Sequence, residues 1–235
     1  MQKNRTIHDL FDIENEISSY ILGFWLADGN IFLSHTKSRP RKQKAFALYN
    51  TDRDLMYEIG SIFGKVPRVR KRNDKNKDCY NIKIKSDKLF DFCYNITNST
   101  SKSDKYIKIP VLKKENQSHF IRGLFDGDGS INIKSYKTRH GKVVNALQSS
   151  FAAGKDTGKF LEDVRDMIRN HVPVGLKKIC GKENRALIFN QYDTMLLCDW
   201  MYKDATIYMK RKREIFDSFD RERLLRSQKF FSNKV

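Results

Sequence analysis

Apolar and polar residues alternate with two different periods along the chain. From Tyr80 to Lys85, Tyr80, Ile82 and Ile84 alternate with Asn81, Lys83 and Lys85, the period of two expected of a half-buried strand. Arg68, Arg70 and Arg72 share one face in the same way, and Ile131 and Ile133 alternate with Asn132, Lys134 and Tyr136. Elsewhere the period is helical: Leu55, Ile59, Ile62 and Phe63 fall at i, i+4, i+7 and i+8, and so do Phe160, Val164, Met167 and Ile168, 105 residues later. Further strand pairs are predicted over Arg68 to Lys85 and Leu176 to Asn190. Apolar helices follow each, around Leu89 to Tyr94 and Thr194 to Tyr202.

The repetition extends to the segments that precede these elements. Tyr20 to Ile31 reappears as Phe120 to Ile131, an offset of 100 residues that keeps Gly, Asp, Gly and Ile in register. Each copy reads as an apolar helix ending in Asp-Gly. The element order α-β-β-α-β-β-α therefore occurs twice, which predicts an α+β protein of two pseudo-symmetric units, residues 1–113 and 114–235. Gly23 and Ala27 lie at i and i+4 on the first repeated helix, and Gly123 and Gly127 on the second. Such small-residue stripes allow two helix backbones to approach closely. Asp28 and Asp128 would close these helices, where the macrodipole disfavours negative charge, and the same unfavourable choice at two equivalent points argues for a role. Gly29 and Gly129 are expected to be left-handed C-caps.

Charge adds a partner. With 46 Lys and Arg against 28 Asp and Glu in 235 residues, the net charge is +18, which points to a polyanion. Strand faces carrying Arg68, Arg70, Arg72, Asn81, Lys83, Lys85, Asn132, Lys134 and Tyr136 suit a β-platform in a DNA groove, where Arg and Lys reach phosphate or guanine and Asn reaches adenine. No signal-peptide pattern or run of membrane-spanning length is present, so a soluble, intracellular protein is expected. Cys79, Cys93, Cys180 and Cys198 form no C-x-x-C pair and are expected to be buried thiols. The five histidines show no metal-ligand spacing.

The segments Ile21 to Gly29 (ILGFWLADG) and Ile121 to Gly129 (IRGLFDGDG) resemble the two signature copies of monomeric LAGLIDADG homing endonucleases. The resemblance implies a saddle of antiparallel sheets with the two motif helices packed at its centre. It also implies metal-dependent hydrolysis of both strands of a long asymmetric DNA target, leaving short 3′ overhangs. Asp28 and Asp128 would hold Mg²⁺ or another divalent cation, one aspartate per strand. The family's polar position at the end of the second strand maps to Asn50, and its counterpart falls near Gly154 or Lys155. The family's basic position maps to Lys212, with Lys210 next. In the first unit Pro110 stands there instead, which leaves the role to Lys102, to Lys105 or to no residue, and motivates the expectation of unequal strand-cleavage rates. Asp126, whose counterpart is Leu26, is assigned no metal. A monomer acting on double-stranded DNA is the expectation. Two alternatives share the fold, a non-cleaving DNA-binding protein and a maturase acting on host intron RNA, and a generic basic RNA-binding domain is a third.

Overall fold

The computed structural model describes residues 9–12, 14–36, 39–71, 78–100, 107–154, 158–182 and 185–219. Arg72, Lys102, Lys105 and Lys155 lie outside the described residues. In chain order the first half comprises α1 (Glu16–Asp28), β1 (Gly29–Thr36), β2 (Arg39–Asn50), α2 (Arg53–Ile62), β3 (Arg68–Arg70), β4 (Cys79–Lys85) and α3 (Asp87–Thr97). The second comprises α4 (Gln117–Asp128), β5 (Gly129–Lys137), β6 (Val143–Ala153), α5 (Gly158–Arg169), β7 (Ile179–Cys180), β8 (Arg185–Phe189) and α6 (Gln191–Tyr202). An eighth element, α7 (Lys210–Asp217), follows the repeat and packs on β5 and α6.

The two sheets are antiparallel and have equivalent orders, β1-β2-β4-β3 and β5-β6-β8-β7. One face of each is apolar, built from Ile31, Phe46, Leu48, Ile82 and Ile84 in the first and Ile131, Leu147, Phe151, Leu187 and Phe189 in the second. Helices α2 and α3 cover the first apolar face, and α5 and α6 the second. Burying each such large side chain contributes about 1.5–3 kcal/mol.

Helix α1 starts at a capping box, in which the Asn15 side chain accepts from the Ser18 N–H while the Ser18 hydroxyl accepts from the Asn15 N–H. It is buried on nearly every side from Ser18 to Leu26, as a central helix must be. Its main partner is α4.

Three expectations are corrected. Gly29 and Gly129 do cap α1 and α4, but in extended conformations, with φ of −103° and −77°. Glycine is required there for space: a Cβ would lie 2.0 Å from the Trp25 ring at Gly29 and 2.3 Å from the Phe125 ring at Gly129. Strand β7 is two residues long and does not reach back to Leu176. Cys93 and Cys198 are buried, but Cys79 is only half-buried and Cys180 is exposed, because each of these two sits on an outer sheet position.

Candidate functional site

The repeated helices meet through reciprocal glycine contacts. A Cβ on Gly23 would stand 2.0 Å from the Phe120 carbonyl oxygen of α4, and one on Gly123 would stand 2.0 Å from the Tyr20 carbonyl oxygen of α1. One turn further on, a Cβ on Gly127 would fall 2.2 Å from the Cβ of Ala27 and 3.5 Å from Asp28 Oδ2. The stripe Gly23, Ala27, Gly123 and Gly127 is thus the contact itself, and it carries Asp28 and Asp128 to the same end of the helix pair. Asp28 is half-buried and Asp128 exposed.

The surroundings of the two carboxylates differ. On the Asp28 side, Asn50 Nδ2 donates to Asp28 Oδ2 at 2.5 Å, and Asn50 Oδ1 accepts from the Asp52 N–H at 2.7 Å. Asp52 in turn caps α2 through the Leu55 N–H and pairs with Arg211 of α7 at 3.3 Å. Sheet register makes Gly29 opposite Leu48 equivalent to Gly129 opposite Phe151, so the counterpart of Asn50 is Ala153, one residue before Gly154 and two before Lys155, near which the sequence places it. Alanine cannot donate to a carboxylate. Arg211 was not found from the sequence, since nothing local marks it among its basic neighbours.

On the Asp128 side stands Lys212, which is 2% exposed. Its ammonium donates to the carbonyls of Phe125, Asp126 and Gly129, at 2.5, 2.9 and 2.5 Å. A cation against the last carbonyls of a helix is favourable, and here it fixes the end of α4. Burial pulls the Lys212 ammonium down to about 8; Arg211 adds to this, while Asp126, Asp28 and Asp128 oppose it.

Asp126 faces away from the helix-end carboxylates into the α1–α4 contact, fully buried, with Oδ2 accepting from the Tyr20 hydroxyl and the Met209 N–H at 2.8 Å each. Burial pushes its pKa up to about 6, against the opposing pull of Lys212, the Met209 N–H, Tyr20 and Arg122. Buried Arg122 donates to the carbonyls of Ile207 and Met201 and to Glu16 at the start of α1. The charged members of this network have no equivalent in the first half, where Leu22, Leu26 and Pro110 stand at the positions of Arg122, Asp126 and Lys212.

Among the described residues no group of three or more His, Cys, Asp and Glu side chains gathers. The donor set at the helix ends is two carboxylates, hard oxygen ligands, one of them held by the Asn50 amide. That set fits Mg²⁺, which keeps several waters and is held by one or two carboxylates together with substrate phosphates.

The outer sheet faces are placed by register. Arg68 pairs with Asn81, and Lys83 and Lys85 pair with Ala47 and Ala45, so these residues share the face opposite the core. Arg68, Arg70, Lys83 and Lys85 are exposed. Asn81 is only 8% exposed and its Nδ2 donates to the Arg68 carbonyl at 2.8 Å, so its amide fastens β3 to β4 and is not the free reader the alternation suggested. On the second sheet Asn132, Lys134 and Tyr136 share the outer face, with Lys134 and Tyr136 exposed. No helix among the described residues is long and apolar enough to cross a membrane.

No family model and no curated protein matches the sequence. Solved structures do match. The LAGLIDADG meganuclease I-AabMI bound to uncleaved DNA is similar at a TM-score of 0.60 and 14% identity, over 91% of this chain and 92% of that one. The homing endonuclease I-GzeII in complex with its DNA target gives 0.54 and 16%, over 87% and 88%. I-SmaMI bound to an uncleaved DNA target in the presence of calcium ions gives 0.57 and 13%, over 86% and 88%. At such identities the likeness is one of fold, and it spans both halves. With its doubled αββαββα order, two matching four-stranded sheets and glycine-packed central helices, the chain has the fold of the LAGLIDADG homing endonucleases.

Proposed function

We propose that the protein is a site-specific DNA endonuclease that cuts both strands of a long asymmetric duplex, one strand at each motif aspartate, leaving short 3′ overhangs. The observation that carries this reading is the pairing of Asp28 and Asp128 at one end of two interlocked helices, between two sheets whose outer faces are open. Two carboxylates at helix C-termini are doubly disfavoured, by each other and by the helix dipoles, unless a cation joins them. Asp28 and Asp128 would hold Mg²⁺, which supplies Lewis acidity at the scissile phosphate and stabilises charge on the departing oxygen.

The remaining work belongs to the chain. Asn50 holds the Asp28 carboxylate in one orientation, and Lys212 holds the backbone from which Asp128 projects. Arg68, Arg70, Lys83, Lys85 and Lys134 supply the positive surface on which the duplex lies. The two sites are built from different parts, which supports unequal strand rates. A monomer suffices, since one chain carries both aspartates.

The test uses a pool of duplexes with a long randomised segment, then a strand-labelled copy of the sequence that is cut. Asp28→Asn and Asp128→Asn should each abolish double-strand cleavage in Mg²⁺ while leaving affinity within a few-fold of wild type. Full cleavage by either variant would remove the mechanism. Tight duplex binding without cleavage by the wild type would favour the non-cleaving reading, and equal rates on the two labelled strands would remove the inequality.

A further inference from the structure

The outer faces of the two sheets are matched in backbone and mismatched in chemistry. Through the equivalence of Leu48 with Phe151, Tyr49 corresponds to Ala152 and Ala47 to Ser150. Their neighbours on the next strand correspond in turn: Asn81 opposite Tyr49 to Ala186 opposite Ala152, and Lys83 opposite Ala47 to Ile188 opposite Ser150. On the last strand Arg68, beside Asn81, corresponds to Cys180, beside Ala186. Except where Ser150 stands for Ala47, long cationic or polar side chains in the first sheet give way at these positions to short or apolar ones in the second.

The shapes follow. In the first sheet Ala45 and Ala47 lie buried beneath longer neighbours, and Phe32, Arg68, Lys83 and Lys85 line a groove of about 430 Å³. In the second, Ala152 is exposed and Ile188 is 38% exposed. The longer groups there are Asn132 opposite Gln148, Lys134 opposite Ala146 and Tyr136 opposite Val144, and Asn132 Oδ1, though buried, has no hydrogen-bond partner among the described residues.

We propose that the two sheets read different base compositions: the β1–β4 face a half-site containing G·C pairs, the β5–β8 face an A·T-rich half-site. This rests on the endonuclease reading. Guanine presents two acceptors, N7 and O6, in the major groove, which Arg and Lys donors satisfy. Adenine presents an acceptor and a donor side by side, which Asn or Gln matches, and the thymine methyl group packs against short apolar side chains. Arg68, Arg70 and Lys83 meet the first requirement. Asn132, Gln148, Ala152, Ala186 and Ile188 meet the second, and only Lys134 among the paired outer positions of the second sheet could donate to guanine as a cation.

The full chain carrying Asp28→Asn and Asp128→Asn, so that bound duplexes stay intact, is mixed with randomised duplexes and the retained fraction sequenced. The expected motif has one half dominated by A·T pairs and the other carrying preferred guanines. Arg68→Ala or Lys83→Ala should lower guanine enrichment at positions in that second half by roughly 5- to 150-fold, the equivalent of 1–3 kcal/mol per bidentate contact. Ile188→Lys should create a guanine preference inside the A·T half. Two outcomes would overturn the proposal while leaving the endonuclease reading intact: a specific motif with G·C pairs spread evenly, or Arg68→Ala acting on the A·T half. Retention with no motif at all would overturn the endonuclease reading itself.

Discussion

Lys212 shows how a side chain's partners limit its chemistry. An ammonium has three N–H donors, and all three here go to main-chain carbonyls at the end of α4. In this arrangement it fastens the backbone that presents Asp128, and each of its three donors already has an acceptor. Its neighbour Asp126 has a measurable signature. Its pKa lies near 6 in the folded protein against an ordinary 3.8, so between these values the folded chain holds a proton that the unfolded chain releases. Stability of the wild type should therefore rise relative to Asp126→Asn as pH falls from about 6 towards 4, and the difference should level off above 6. Denaturant unfolding at steps across pH 7 to 4 reads this directly, and a gap moving the other way would contradict the buried geometry. Asn50 comes only from the family resemblance, whereas Asp28 and Asp128 were legible in the sequence because a repeat marks them. Asp126 was not, since its partners Tyr20, Met209 and Lys212 lie more than 80 positions away in the chain.

At the scale of elements, the helix pair is set by where side chains are missing. The small-residue stripe predicted close approach, and the structure adds that Ala27 and Gly127 face each other as a methyl group opposite a vacancy. Gly127→Ala would force two methyl groups to within 2.2 Å, parting the helix ends and the aspartates with them. Overpacking of this kind costs about 1–3 kcal/mol. The loss of stability and cleavage in Gly127→Ala should be largely recovered by adding Ala27→Gly, which returns the methyl group to the opposite helix; a double variant as impaired as the single one would show that facing contact to be unimportant. Element order and strand faces were readable because period-two and period-3.6 patterns are local. The extended caps at Gly29 and Gly129 were not, because aromatic rings from the preceding turn, not backbone handedness, exclude a Cβ there.

Across the whole molecule, the net charge of +18 is compatible with many polyanion binders, and only its distribution narrows the choice. The exposed cations Arg68, Arg70, Lys83 and Lys85 share the outer face of the first sheet, while the paired carboxylates lie at the helix ends between the sheets. Duplex affinity should fall linearly with the logarithm of salt concentration, by about 0.9 log units per phosphate neutralised. Removing Arg70 by Ala should shallow that slope by about one unit if it grips phosphate, and leave it unchanged if it reads a base. A flat salt response in the wild type would dissociate the basic face from binding altogether. The junctions at Gly29 and Gly129 bear on a different property. Each motif helix passes into the first strand of its sheet with no intervening loop, so aspartate and platform belong to one stiff piece of chain. A duplex that seats badly on a sheet would tilt that piece and carry the carboxylate out of line, so an imperfect target would be held yet cut slowly. Fidelity would then be exercised mechanically, at the moment of bond breaking, as well as at the moment of capture.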